Sequence, residues 1–179
     1  MWNENTDLNE YYLTKAILNI YSGNDSKERP SCVTHNLYTN SKSYYAPKNN
    51  TSTTNLIGAI ACGPATVSEY PANTKTTLPL TLFYNAWGDG HRGDYRPSEI
   101  SLTTFSKNGL TLEIIYSANF FTDAWKIDKV ELTVEFKKPD GTPHQYLGNK
   151  TITFSKSALM TESNTILKLV TDKFMFPIN

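Results

Sequence analysis

One stretch decides the fold class, Leu78–Phe136, which reads LPLTLFYNAWGDGHRGDYRPSEISLTTFSKNGLTLEIIYSANFFTDAWKIDKVELTVEF. Apolar and polar residues alternate through most of it, as they do in strands that bury one face. The alternation is clearest at the end, where Val130, Leu132, Val134 and Phe136 fall on one side. The stretch therefore predicts three or four antiparallel strands, with aromatic residues collected in their connections.

Further strands are predicted on both sides of this stretch and within it. They are a short strand around Val33–Tyr38, a buried strand at Leu56–Gly63, one strand over Thr76–Trp87, one with Leu110, Leu112, Ile114 and Tyr116 on its buried face, and a closing strand at Thr165–Phe176 with Ile166 and Val170 in the core. Residues 155–162 (SKSALMTE) predict one helical turn. Leu13–Tyr21 fits a strand better than the alternative helix that would begin at Asp7.

Turn signals separate these strands. Asn108-Gly109 predicts a two-residue type I′ hairpin turn, since this dipeptide adopts positive φ angles easily, and Asp140-Gly141 predicts another turn. Eight or more short strands, frequent turns and little helix predict an all-β protein, a single antiparallel β-sandwich. We expect residues 1–12 to form a loose N-terminal segment and residues 13–179 to form one domain.

Composition narrows the classes of partner. The 17 Lys and Arg residues balance 17 Asp and Glu residues, which argues against a nucleic-acid partner because phosphate binding needs clustered positive charge. No apolar run is long enough to span a bilayer, and no signal peptide is evident. The compartment stays open, and we favour a secreted protein over a cytoplasmic one. Cys32 and Cys62 form either one disulfide or two buried thiols.

The loop WGDGHRGDYRP, residues 87–97, holds the densest group of polar side chains. Asp89, His91 and Asp94 are of the types that bind divalent metals, but the glycines favour a plain connection between strands. Arg92-Gly93-Asp94 matches an integrin-binding tripeptide, and such short matches arise by chance. Because no nucleophile elbow, phosphate loop or C-x-x-C motif is present, we predict no catalytic residue, no cofactor and no metal.

A second cluster, YSANFFTDAWK at residues 116–126, places Phe120, Phe121 and Trp125 in one predicted connection. Aromatic residues in a loop either fold back to cover an end of the sandwich or form a surface for a ligand. Trp87 and Tyr95 also fall in predicted loops. The candidate ligand surface therefore comprises aromatic side chains from two connections, together with neighbouring polar groups.

The segments LPLTLFYNAW, SKNGLTLEIIYSANFFTDAW and VELTVEF resemble the actinoporin and fungal fruit-body-lectin group of β-sandwich proteins. The resemblance implies that Ser117, Phe120, Phe121 and Trp125 occupy the positions that touch phosphocholine headgroups in actinoporins. Residues 1–12 offer no counterpart to the long amphipathic segment with which actinoporins line a pore. The resemblance therefore implies binding of a lipid headgroup or a glycan rather than pore formation.

The residues and the resemblance together predict a non-enzymatic recognition module, lectin-like or toxin-like, whose partner is a membrane lipid headgroup or a glycan. Its ligand-binding residues are predicted to be Ser117, Phe120, Phe121, Trp125, Trp87 and Tyr95. The alternative is a protein–protein or adhesion module that uses a sheet edge or a loop end. The oligomeric state stays open.

Overall fold

The computed structural model describes residues 8–40, 55–82, 100–173 and 175–178. Within these ranges the chain forms two antiparallel sheets, two short helices and one 3-10 turn at Leu8–Glu10. The helices are α1, Pro64–Val67, and α2, Leu102–Asn108. The prediction of an all-β sandwich with little helix is confirmed.

The first sheet contains β1 (Tyr12–Ser22), β4 (Lys75–Pro79), β7 (Trp125–Lys137), β8 (Lys150–Phe154) and β9 (Ala158–Met160). Its order is β4-β1-β7-β8, and β9 also pairs with β7. β8 pairs with the middle of β7, whereas β9 pairs with its first residues, Trp125 to Ile127. The long strand β7 is therefore the centre of this sheet.

The second sheet contains β2 (Cys32–Thr39), β3 (Asn55–Ile60), β5 (Thr81–Leu82), β6 (Leu110–Ser117), β10 (Ile166–Thr171) and β11 (Pro177–Ile178). Its order is β11-β10-β6-β2-β3-β5. The described part of the strand predicted over Thr76–Trp87 is divided between the sheets, since β4 pairs with β1 and β5 pairs with β3, while residues 83–87 lie outside the described ranges. The chain crosses at Leu80, whose N–H donates to the Ala16 carbonyl.

The core lies between the inward faces of the two sheets. Side chains alternate in and out along each strand, and the residues predicted to face inward on β6 and β7 are buried: Leu110, Leu112, Ile114, Tyr116, Val130, Leu132, Val134 and Phe136. Strand β1 supplies Leu13, Leu18 and Ile20 to the same core. The end of the predicted N-terminal segment also packs here, because Tyr11 is buried with its ring 4.8 Å from that of His144.

The predicted hairpin turn at Asn108-Gly109 is wrong, because α2 occupies the preceding residues. The Ser101 hydroxyl accepts a hydrogen bond from the Thr104 N–H and caps the helix. Leu102 and Phe105, one helical turn apart, are both buried. Gly109 ends the helix with φ 74°, and its N–H donates to the Phe105 carbonyl. The sequence correctly predicts a positive φ at Gly109, but this φ ends the helix α2 and does not form a hairpin turn.

Two assignments near the C-terminus are also wrong. Ala158–Met160 is the strand β9 rather than a helical turn, because its backbone completes the pairing of β7. On β10 the buried residues are Leu167 and Leu169, whereas Ile166 is exposed. Side chains on a strand alternate between its two faces. A prediction that is out of step by one residue therefore places every side chain of the strand on the wrong face.

Gly109 and Gly141 provide a matched test of this packing. Both have positive φ, but a Cβ at Gly109 would overlap the carbonyl oxygens of Asp172 and Thr171, whereas a Cβ at Gly141 meets nothing within 4 Å. We expect Gly141→Ala to lower the free energy of unfolding by about 1 kcal/mol and Gly109→Ala by at least about 2 kcal/mol more. Urea denaturation measures both; equal losses would contradict the overlap at Gly109.

Candidate functional site

The connection between β6 and β7, residues 118–124, presents two large aromatic side chains to solvent. We call it the tip loop. Phe120 is 63% exposed and Phe121 is 82% exposed. Ser117, the last residue of β6, is exposed at the base of the loop and pairs with Cys32 of β2. The structure therefore brings three of the sequence-predicted residues together at one end of the sandwich.

A carboxylate inside the tip loop holds its shape. Asp123 Oδ2 accepts hydrogen bonds from the backbone N–H groups of Asn119 and Phe120, each at 3.2 Å. The Asp123 N–H in turn donates to the Phe120 carbonyl at 2.9 Å. The loop is thus closed on itself by the Asp123 carboxylate, and its two Phe rings stay exposed.

The same carboxylate ties the tip loop to the β1–β2 connection. The Ser31 hydroxyl donates to Asp123 Oδ2 at 2.7 Å, and Ser31 is itself buried. This hydroxyl and, after it, the Phe120 and Asn119 N–H groups hold the pKa of the Asp123 carboxyl below its usual value. Because the bonds favour the charged form, the carboxylate stays ionised and in place at neutral pH.

Below Ser31 lies a buried ammonium group. Lys27 Nζ donates to the Ser31 carbonyl at 2.6 Å and to the Glu28 carbonyl at 3.3 Å, and it lies 5.0 Å from the centre of the Tyr70 ring. Burial, reinforced by the charge of Arg29, lowers the pKa of Lys27 to about 8. Lys27 thus fixes the backbone that carries Ser31, and through it the tip loop.

Trp125 is not a surface residue of the tip loop, so the predicted contact of its ring with a ligand through that loop is wrong. It begins β7, is fully buried, and donates from its indole nitrogen to the Ser22 hydroxyl at 3.1 Å. Its ring packs against those of Tyr70 and Tyr116 at 5.5 and 6.1 Å between centroids. The pairing of β7 with β9 draws Trp125 into the sheet, where alternation turns it toward the core.

Cys32 and Cys62 form a disulfide, which decides between the two alternatives left open by the sequence. Their Cα atoms are 5.7 Å apart, a usual separation for such a bond. Cys32 is buried at the start of β2, whereas Cys62 is exposed in the connection between β3 and α1. The bond joins that connection to the strand that directly follows Ser31.

His35 is a buried imidazole on β2. Neither ring nitrogen has a hydrogen-bond partner among the described residues, and no side of the ring meets solvent. Burial, aided by the charge of Lys27, lowers the pKa of His35 from 6.5 to about 3. The ring is therefore neutral at physiological pH and is a destabilising group in acid.

The charges around the tip loop are of both signs. Burial and, after it, the nearby carboxylates of Asp123, Asp25 and Glu28 raise the pKa of the Tyr116 phenol. Arg29 is exposed on the same connection as Asp25 and Glu28. A tip of mixed charge has little attraction for an anionic surface.

A shallow cleft of about 510 Å³ lies on the first sheet near this end. It is lined by Tyr21, Ser22, Asn73, Thr74, Lys75, Asp128 and Lys129. Lys129 Nζ lies 3.9 Å from the centre of the Tyr21 ring and forms a salt bridge with Glu131 at 2.8 Å. Because Lys129, the cation of this cleft beside Tyr21, is already engaged by that ring and by Glu131, we take the tip loop as the stronger candidate for a recognition surface.

Other sequence-predicted residues lie outside the described ranges. They are Trp87 and Tyr95, the possible metal ligands Asp89, His91 and Asp94, and the Arg92-Gly93-Asp94 tripeptide. Among the residues that are described, no group of three or more His, Cys, Asp or Glu side chains is arranged to hold a metal ion. Within the same ranges, no helix has the length and apolar character needed to cross a membrane.

Sequence reasoning found the two exposed rings but missed the side chains that position them. Ser31 and Asp123 are 92 residues apart, and nothing local marks them as partners. The one available signal was Asp123 itself, three residues after Phe120, a spacing at which an Asp side chain caps backbone N–H groups in a turn. Comparison with protein-family models, curated proteins and solved structures found no match.

Trp125 is buried whereas Phe121 is exposed, so removing each ring should affect the stability of the fold very differently. Trp125→Ala removes a fully buried ring and the indole hydrogen bond, so we expect the free energy of unfolding to fall by about 3–5 kcal/mol. Phe121→Ala removes an exposed ring, so we expect a change within about 0.5 kcal/mol. Urea denaturation compares them; similar losses would show that the tip loop packs on the core.

The pH dependence of stability follows from His35. Because its pKa is lower in the folded chain, the unfolded chain binds the proton more readily below pH 6.5, and stability falls as the pH drops from 6.5 toward 3. The loss approaches about 1.4 kcal/mol per pH unit. His144, whose pKa burial also lowers, adds a loss of the same sign.

We expect His35→Leu to flatten this acid dependence without abolishing it, since His144 remains. Thermal denaturation at intervals from pH 7 to pH 5, above the range of most carboxylates, measures the slope for both proteins. An unchanged slope in the variant would rule out His35 as its source.

Proposed function

We propose that this protein is a non-enzymatic module that binds the surface of a lipid bilayer, with Phe120 and Phe121 of the tip loop as the groups that enter it. The observation that carries the proposal is the exposure of two adjacent Phe rings, 63% and 82%, on a loop that is closed by its own hydrogen bonds. Large apolar side chains in such a position mark a surface for an apolar partner.

A bilayer suits this surface better than a glycan does. Sugars are held by ring stacking together with convergent polar groups. In the tip loop the Phe rings carry no polar atoms, and the Asp123 carboxylate is occupied by Ser31, Asn119 and Phe120. The carboxylate is therefore not available to a sugar, and the largest groups that the loop exposes are the two apolar rings, beside the smaller polar residues Asn119 and Thr122.

The shape and charge of this end limit the kind of bilayer. Asp25, Glu28 and Asp123 offset the positive charge of Arg29, so we expect a preference for zwitterionic headgroups over anionic ones. Transfer of the exposed parts of two Phe side chains from water contributes about 2–4 kcal/mol. This corresponds to weak, reversible binding at roughly millimolar lipid.

The disulfide fits the same proposal. Disulfides form and persist in oxidising compartments, which include the exterior of the cell and its outer surfaces. A chain with the Cys32–Cys62 bond would meet the outer face of a membrane there, where zwitterionic lipids are encountered. We therefore extend the proposal to a secreted or surface-exposed protein.

The test is co-sedimentation with phosphatidylcholine vesicles at millimolar lipid, repeated with vesicles that also contain phosphatidylserine. We expect the protein to sediment with both, with little effect of salt, and the double variant Phe120→Ser, Phe121→Ser to bind at least tenfold more weakly. The physical reason is the loss of most of the transferred apolar area, with little effect on folding because both rings are exposed.

Phe176→Ser is the matched control. Phe176 is 57% exposed, but its carbonyl pairs with Asp172 beside Gly109, at the opposite end of β6 from the tip loop. We expect its binding to equal that of the unmodified protein. Binding retained by the double variant, or binding only to anionic vesicles and abolished by salt, would refute the tip loop as the membrane contact. Absence of sedimentation in every lipid would favour a protein partner.

A further inference from the structure

The connection between β3 and β4 is attached at two points to residues 27–32, the segment that leads into β2. The first attachment is the disulfide from Cys62 to Cys32. The second is a pair of backbone hydrogen bonds between Lys27 and Tyr70, at 3.1 and 3.0 Å. We call residues 61–70 the clasp, because they close over this segment at both of its ends.

Between these attachments, polar contacts keep the clasp compact. The Thr66 hydroxyl lies 3.7 Å from Cys32 Sγ and accepts a hydrogen bond from the Gly63 N–H at 2.9 Å. The Thr66 and Val67 N–H groups both donate to the Gly63 carbonyl. The clasp is therefore a short, folded unit whose position relative to Cys32 depends on the disulfide.

The segment under the clasp is the one that holds the tip loop. The Ser31 hydroxyl donates a hydrogen bond to Asp123 Oδ2 and accepts one from the Asn119 N–H at 3.2 Å. The Ser31 carbonyl accepts a hydrogen bond from Lys27 Nζ. Ser31 immediately precedes Cys32. A continuous series of covalent and hydrogen bonds therefore runs from the clasp through Cys32 and Ser31 to the backbone of Phe120.

We propose that the Cys32–Cys62 disulfide is a redox switch for the tip loop: the oxidised chain holds the loop in its binding shape, and reduction releases it. This inference rests on the proposed function for its biological meaning, but the coupling between the disulfide and the loop is a property of the chain alone. Oxidation favours binding outside reducing compartments, and reduction favours release.

The exposed position of Cys62 gives a reductant access to the bond. A dithiol reacts as its thiolate with Cys62 Sγ, which forms a mixed disulfide and expels Cys32 as a thiolate that takes up a proton. The second thiol of the reductant then displaces Cys62 as a thiol. The two electrons that reduce the protein disulfide come from the dithiol, which leaves as a cyclic disulfide.

The rest of the sandwich does not depend on this bond. Strand β2 remains paired with β6 from Cys32 to Thr39 and with β3 from His35 to Thr39. The main hydrophobic cluster is formed by side chains of both sheets, and neither cysteine is a member of it, although Cys32 is buried. Reduction is therefore expected to act first on the clasp and on residues 27–32, where one of two attachments is lost.

Amide hydrogen exchange measured by NMR tests the coupling without any lipid. The Asn119 and Phe120 N–H groups report on the tip loop because both donate to Asp123, and the Leu132 and Val134 N–H groups report on the core strand β7. Exchange is compared in the oxidised protein and after treatment with dithiothreitol, with free thiols counted. We expect exchange at Asn119 and Phe120 to accelerate at least tenfold on reduction, with β7 unchanged.

Two variants complete the experiment. The double variant Cys32→Ser, Cys62→Ser should exchange rapidly at Asn119 and Phe120 with or without dithiothreitol. Asp123→Ala should release the tip loop while the Cys32–Cys62 disulfide stays intact. Its exchange rates at Asn119 and Phe120 therefore give the largest acceleration that loss of the loop contacts can produce. Binding to phosphatidylcholine vesicles is measured on the same samples, and we expect reduction to weaken it several-fold.

Each result decides one of the two proposals. Unchanged exchange at Asn119 and Phe120 after reduction overturns the switch, as does accelerated exchange throughout β7, which would make the disulfide a support for the whole fold. Unchanged vesicle binding by a loop that exchanges faster also overturns it. Faster exchange confined to the loop, with no vesicle binding in either state, supports the coupling and refutes the membrane function.

Discussion

The antiparallel pairing of β1 with β7 is the constraint on which the rest of the structure depends. The two strands pair along nearly their whole lengths, from Tyr12 opposite Lys137 to Ser22 opposite Ile127. This register places Leu18 opposite Leu132 and Ile20 opposite Val130, all four on one inward face. A slip of one residue would move every one of these side chains to solvent. The position of the tip loop follows, because β7 begins directly after it.

The tip loop is fixed both by the strands at its ends and by hydrogen bonds inside it. Its ends are fixed by the sheets, since Ser117 closes β6 and Trp125 opens β7, while its own conformation depends on the Asp123 carboxylate. That carboxylate is held by Ser31, whose carbonyl is held by Lys27. A loop positioned in this way presents Phe120 and Phe121 on a backbone that is already ordered, which lowers the entropy lost when an apolar partner binds.

Local patterning predicted much of the fold but not its exceptions. The alternation in β6 and β7 identified the buried face of each strand, because strand burial has a fixed period. It failed where another local structure competed: at α2, the Ser101 cap and the spacing of Leu102 and Phe105 outweighed the hairpin signal of Asn108-Gly109. For the candidate site, Phe120 and Phe121 were placed in the correct connection, but Trp125 was assigned to the loop because a strand boundary is set by its partner strand.

The sequence by itself determined that the chain forms strands, which faces of the central strands are apolar, and that two adjacent Phe residues lie in a polar connection. These are properties of neighbouring residues, and period and turn chemistry express them directly. Only the tertiary structure decided that Trp125 is buried, that Cys32 pairs with Cys62, and that Ser31 holds Asp123. These choices join residues far apart in the chain, and no local preference selects a partner until the sheets bring both groups to the same end of the sandwich.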